Sequence, residues 1–145
     1  YYSNEVKKLV SAPEYGGDGK TSDRCVGKKA PFHAFPGHWA PNDMLFYRGS
    51  QFPAEYRVGS FIAFHGSWNR PAPLPQGGAS VVFLGANGGK PLPHRVFADG
   101  FSKDGAVGTD GRLHRPTGLA QGTDGSLYVS DDLAGTIYKI SFKGK

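Results

Sequence analysis
From Gly118 to Ile140 the chain alternates apolar strand and tight turn so densely that no helix fits between them. Gly118-Leu119-Ala120-Gln121 reads as a short strand. Thr123-Asp124-Gly125 reads as a hairpin turn, with glycine where a positive φ is wanted. Leu127-Tyr128-Val129-Ser130 alternates cleanly, Asp131 to Gly135 turns again, and Thr136 to Ile140 closes the set. Successive side chains of a strand face opposite sides, so this spacing predicts three adjacent half-buried strands.

The preceding stretch reads the same way. Met44 to Tyr47 is a short apolar strand between the turn Pro41-Asn42-Asp43 and Arg48-Gly49. Phe61 to Phe64 follows the loop Gln51 to Tyr56, and a Pro/Gly-rich connection runs from Pro71 to Gly78. Ser80 to Leu84 ends at the turn Asn87-Gly88-Gly89, and His94 to Ala98 is a more polar strand. No stretch sustains a helical period of 3.6 residues. The 22 glycines and 11 prolines fit many turns, while ten Phe, seven Tyr and two Trp argue against disorder. The expected class is all-β.

The unit of apolar strand, Asp-Gly turn, Leu-Tyr-Val-Ser-Asp, turn and Gly-x-Ile-Tyr-x-Ile is a general signature of propeller blades. The predicted architecture is therefore a β-propeller fragment of about two antiparallel blades. Residues 1–38 form a loop-rich lead-in, 39–101 a four-stranded blade, and 102–145 a last blade of three strands lacking its outer one. Closure needs at least about four blades, so open sheet edges are expected, to be covered by the rest of a propeller or by another chain. The chain begins at Tyr1 rather than Met, as a processed product or a piece of something longer would.

The run most suggestive of function is Ser60 to Arg70, SFIAFHGSWNR. A buried strand releases His65, Gly66, Ser67, Trp68, Asn69 and Arg70 at one rim, and binding sites are commonly built on such loops. The other reading has Trp68 capping the core and Arg70 solvated. The formal net charge of +5 is scattered rather than clustered, which argues against nucleic acid and suits a small anionic ligand. Cys25 is the single cysteine and makes no internal disulfide. No apolar run has membrane-spanning length. Gly17-Asp18-Gly19 lacks the oxygen ligands of a calcium loop, and His33 and His38 read as loop histidines rather than zinc ligands.

Several runs carry a family resemblance: APEYGGDGK (Ala12–Lys20), FPGHWAPNDMLFY (Phe35–Tyr47), FPAEY (Phe52–Tyr56), FIAFHGSWNR (Phe61–Arg70), FADGF (Phe97–Phe101) and RPTGLAQGTDGSLYVSDDLAGTIYKI (Arg115–Ile140). Together they resemble the C-terminal portion of the glucose/sorbosone dehydrogenase family, soluble quinoproteins with a six-bladed propeller. The resemblance implies oxidation of an aldose or sugar-derived aldehyde, with pyrroloquinoline quinone (PQQ) as electron acceptor, calcium beside it and a histidine general base. It also implies a periplasmic or secreted protein. Arg115 resembles the arginine that pairs with a cofactor carboxylate, with His65, Asn69 and Arg70 as further cofactor contacts. Trp39 resembles the aromatic wall beside the substrate, and Trp68 joins it. Structural readings stand beside these: the two tryptophans packing between blades, and Arg115 pairing with Asp131 or Asp132. The family's general base and calcium ligands belong to earlier blades, so no catalytic or metal-binding residue is assigned here, and the chain alone is expected to be inactive. By the same resemblance Tyr1-Tyr2 matches the tail of a tyrosine-rich segment, and the cysteine that would partner Cys25 precedes it.

Two other functions fit the residues. One is a non-enzymatic propeller module binding a carbohydrate or protein through its Trp, His and Arg rim. The other is a calcium-dependent lactonase-type propeller with Asp131 and Asp132 as ligands, although no obvious set of four acids is present.

Overall fold
The computed structural model describes residues 2–3, 5–22, 26–67, 77–102 and 114–144. Within them the chain is all-β, with every strand pair antiparallel and only two single 3-10 turns. It divides into two compact units, residues 1–37 and 38–145.

In the first unit β1 (Tyr2–Ser3) pairs with β2 (Lys8–Leu9). Side chains, more than strands, order the rest. Asp18 Oδ1 accepts the N–H groups of Lys20 and Thr21 at 2.8 and 2.6 Å, and Oδ2 accepts the Thr21 hydroxyl at 3.0 Å. These bonds hold the Asp18 carboxyl below its ordinary value, the Thr21 N–H foremost. The 3-10 turn Pro13–Tyr15 ends on Gly16, whose φ of 78° favours glycine.

The second unit holds two sheets. The larger contains β3 (Pro41–Phe46), β4 (Gly59–Phe64), β5 (Ser80–Asn87), β6 (Lys90–Pro91) and β7 (Arg95–Ala98). Its order is β3-β4-β5-β6, with β7 also pairing with β5. The smaller contains β8 (Pro116–Gln121), β9 (Leu127–Asp131) and β10 (Thr136–Ile140) in the order β10-β9-β8. β3 starts three residues earlier than its apolar run, because Pro41-Asn42-Asp43 enters the ladder through a register shift instead of forming a separate turn.

The two sheets share one core. Phe61, Phe83, Val81, Tyr47 and Phe52 of the larger sheet and its loop pack with Leu127 and Val129 of the smaller. Phe61 is the hub, with ring centroids of Phe97, Phe83 and Tyr47 at 4.6, 5.1 and 5.4 Å. Polar bonds join the sheets along their length. Tyr47 donates its buried hydroxyl to the Gly125 carbonyl at 2.7 Å, and Asp43 Oδ2 accepts Leu119 N–H at 2.7 Å.

Candidate functional site
Strand register brings one set of loops to a common end. Pro41, Phe64, Ser80 and Ala98 lie at the same end of the larger sheet, by the pairs Pro41–Phe64, Phe64–Ser80 and Val81–Ala98. Pro116, Asp131 and Thr136 lie together at one end of the smaller. Contacts between the following residues join these two ends into a single rim.

At the end of β4, His65 donates its main-chain N–H to the Ala40 carbonyl at 2.9 Å. Its Nε2 meets both carboxylate oxygens of Asp132 at 2.9 Å, across from one sheet to the other. Arg115, just before β8, reaches the same loop: Nε donates to the His65 carbonyl and Nη2 to the Gly66 carbonyl, each at 3.2 Å. The bond from His65 is the largest influence holding the Asp132 carboxyl below its ordinary value, and Arg115 adds to it.

Asp131 lies beneath this rim and is 2 % exposed. Its Oδ1 accepts main-chain N–H groups from Arg115 at 3.0 Å and from Leu133 and Ala134 at 3.1 Å. Its Oδ2 faces His114 Nδ1 at 2.6 Å and the Tyr138 hydroxyl at 3.4 Å, and that hydroxyl is 2.9 Å from His114 Nδ1. Burial by itself pushes the Asp131 carboxyl up; the Arg115, Ala134, His114 and Leu133 hydrogen bonds together outweigh it and hold the group below its ordinary value. Burial, with Asp131 nearby, raises the Tyr138 phenol.

Trp39 sits at the same end, in a packing position. Its ring meets Phe64 edge-on at 5.3 Å and His94 at 5.9 Å. A Cβ at Gly77 would run into the indole. Ser67, 2 % exposed, ties the neighbouring loops: its hydroxyl bonds the carbonyls of His38 and Gly77 at 2.7 and 3.1 Å and accepts Gly77 N–H at 2.9 Å. Ala40 and Ala79, at φ of 53° and 49°, add backbone strain here, a feature that clusters at functional sites. Gly77→Ala is expected to cost about 1–3 kcal/mol by overpacking, read as a lower urea midpoint together with altered indole fluorescence.

The rim thus brings together His65 and Arg115, with Trp39 alongside. Trp68, Asn69, Arg70 and Cys25 lie outside the described residues. Asp132 pairs with His65, whereas Arg115 meets Asp131 through its main-chain N–H. Tyr138 is central here yet was read from the sequence only as part of a strand, Asp131 only as a partner of Arg115 or a calcium ligand, and Ser67 only as one of the residues released after β4. Asp131 had a signal: it continues the inward phase of Leu127 and Val129, where a carboxylate must find partners. Among the described residues no group of three or more His, Cys, Asp or Glu is arranged to hold a metal ion.

Known proteins share this chain's pattern. It is 33% identical over 113 residues to an uncharacterized protein of Borreliella burgdorferi, covering 77% of this chain and 28% of that one. It is 28% identical over 159 residues to a pyrroloquinoline quinone-dependent pyranose dehydrogenase of Coprinopsis cinerea, covering 94% of this chain and 21% of that one. The chain therefore spans under a third of the length of these relatives. A solved structure of a Trichoderma reesei carbohydrate-active enzyme of family AA12 superposes with a TM-score of 0.55 at 24% identity, over 83% of this chain and 29% of that one, which shows a shared fold. The TrAA12-like family pattern matches residues 6–143, and the chain belongs to that family.

Proposed function
We propose that this chain is part of a quinoprotein dehydrogenase that oxidises a sugar or sugar-derived aldehyde, with PQQ as electron acceptor. The observation that carries the reading is the convergence of Arg115 and the His65–Asp132 pair on one end of both sheets. Its family membership and its similarity to a PQQ-dependent pyranose dehydrogenase support it. The two antiparallel sheets are read as neighbouring propeller blades, 39–101 and 102–145, with 1–38 leading into them. Further propeller sequence, or another chain, covers their edges.

PQQ is a planar tricarboxylate, so its site needs cationic forks and an aromatic wall. The described residues fit one edge of it. Arg115 brings a guanidinium to the rim, preset by its bonds to two carbonyls, and the acidic Asp132 beside it is held by His65. When bound, PQQ supplies the two-electron acceptor. On this reading His65 and Arg115 position the cofactor, with Asn69 and Arg70 as further contacts, while Trp39 and Trp68 border the substrate. The general base and calcium ligands come from sequence other than these 145 residues. A periplasmic or secreted setting is proposed with it; among the described residues no helix is long and apolar enough to cross a membrane.

The test is titration of PQQ into the folded chain, followed by the cofactor spectrum. Saturable binding is expected, with Arg115→Ala weaker by about tenfold or more, the worth of a charge-assisted hydrogen bond. Absence of binding by a chain with intact β circular dichroism would exclude a cofactor edge here. Sugar binding at the Trp39 rim by a folded chain that binds no PQQ would favour a non-enzymatic carbohydrate module instead.

A further inference from the structure
The Asp131–His114 pair serves a second feature that the quinone reading leaves unused. His114 lines a groove of about 320 Å³ with Asp99, Phe101, Tyr138 and Ile140. Asp99 and Gly100 form a wall shared with a smaller cavity of about 100 Å³ beside Trp39.

The imidazole is held from behind. Nδ1 is 2.6 Å from a carboxylate whose own ordinary value is depressed, so it carries the proton and donates to Asp131. In the neutral ring that this bond orients, the lone pair is on Nε2, to which no described residue bonds. The ring is 31% exposed while Asp131 is enclosed. Asp131 is saturated by its donors and is not available to a ligand.

The other groove groups limit what fits. Lys139 also lines it, but its ammonium is 2.8 Å from Asp124 Oδ2 and 5.7 Å from the Tyr128 ring centroid, on the opposite face of β10 from Tyr138. The polar side chains presented to a ligand are therefore acceptors, Nε2 and the exposed Asp99 carboxylate. The floor is apolar: Phe101, 7% exposed, and Tyr138 meet edge-on at 5.6 Å, with Ile140 alongside. A matching ligand brings hydroxyl donors on its edge and a C–H face for the rings. We propose that this groove is a site for a ring-shaped polyol, with one hydroxyl donating to His114 Nε2, another to Asp99, and the ring resting over Phe101 and Tyr138. The groove adjoins the rim, sharing the Asp99–Gly100 wall with the cavity beside Trp39, and polyol binding there needs no quinone.

Long-range ¹H–¹⁵N spectra of the intact chain test the first half. A His114 ring protonated on Nδ1 at neutral pH is expected; one protonated on Nε2 would overturn the proposal. D-glucose and myo-inositol, titrated without PQQ, are expected to shift His114 Nε2 and the Phe101 and Tyr138 ring signals saturably. His114→Gln should weaken binding about tenfold. Because that variant disturbs the buried Asp131, Asp99→Ala on the exposed loop is the control that keeps the fold, and it should weaken binding at least about threefold. No saturable shift, or shifts that Asp99→Ala leaves unchanged, would overturn the site whether or not PQQ binds elsewhere.

Discussion
Replacing Asp131 with alanine is expected to destabilise the 38–145 unit by about 3–5 kcal/mol, the range for stripping a buried, hydrogen-bonded charge from its partners. Three main-chain N–H groups, from Arg115, Leu133 and Ala134, lose their acceptor at once, and His114 and Tyr138 lose theirs. Asp131→Asn keeps an oxygen for the N–H groups but sets an amide against His114, so an intermediate loss is expected. The effect depends on pH. The folded carboxyl titrates below its unfolded value of 3.8, so its contribution is complete well above that value and disappears as pH falls through the lower folded value. Urea unfolding of both proteins at neutral pH and near pH 3 checks this: the gap between them should narrow in acid. An equal gap at both would show that Asp131 is not held as the charged form.

Phe61→Ala is expected to cost a similar amount, about 3–5 kcal/mol, by opening a cavity that cannot collapse. Phe61 is fully buried, and its ring meets Tyr47, Phe52, Phe83 and Phe97 at centroid distances of 4.6 to 5.8 Å. It lies on β4, which is laddered on both sides by β3 and β5, so the backbone is not free to close the void. Phe61→Leu, which keeps most of the volume, should cost about 1–2 kcal/mol. A fall in the urea midpoint with unchanged slope is the expected signature. A loss below about 1 kcal/mol for the alanine variant would mean that the aromatic cluster is looser than its geometry implies.

The strands were legible because their periodicity is local. Thr136–Ile140 coincides with its predicted bounds, and Leu127–Ser130 extends by one residue, to Asp131. The first unit's short strands escaped detection because two-residue ladders, such as Lys8–Leu9, leave no period to read. His65 could be singled out because a run of unusual side chains follows an apolar strand, and Arg115 because the run it opens resembles a known family. Their partners could not. Asp132 reaches His65 across 67 positions of sequence, and Arg115 reaches it across 50, separations that only the packing of two sheets resolves. Asp131 was read as part of a turn because Asp-Asp-Leu-Ala-Gly is good turn chemistry; burial turned its first residue into the acceptor that organises that turn.

β4 runs from the centre of the core to the rim without a break: its residues from Ser60 to Phe64 are buried, and the next residue is His65. Fold and site therefore occupy one continuous rod of backbone. A substitution that shifts Phe61 or Ala63 by a fraction of an ångström moves the imidazole by a comparable amount, with no flexible joint to absorb it. Divergence in this lineage would then come more easily through the exposed loops than through the interior. Laboratory evolution has the same constraint: libraries at Asp99 or around Trp39 leave the rod in place, whereas repacking the interior alters the rim geometry and heat tolerance together.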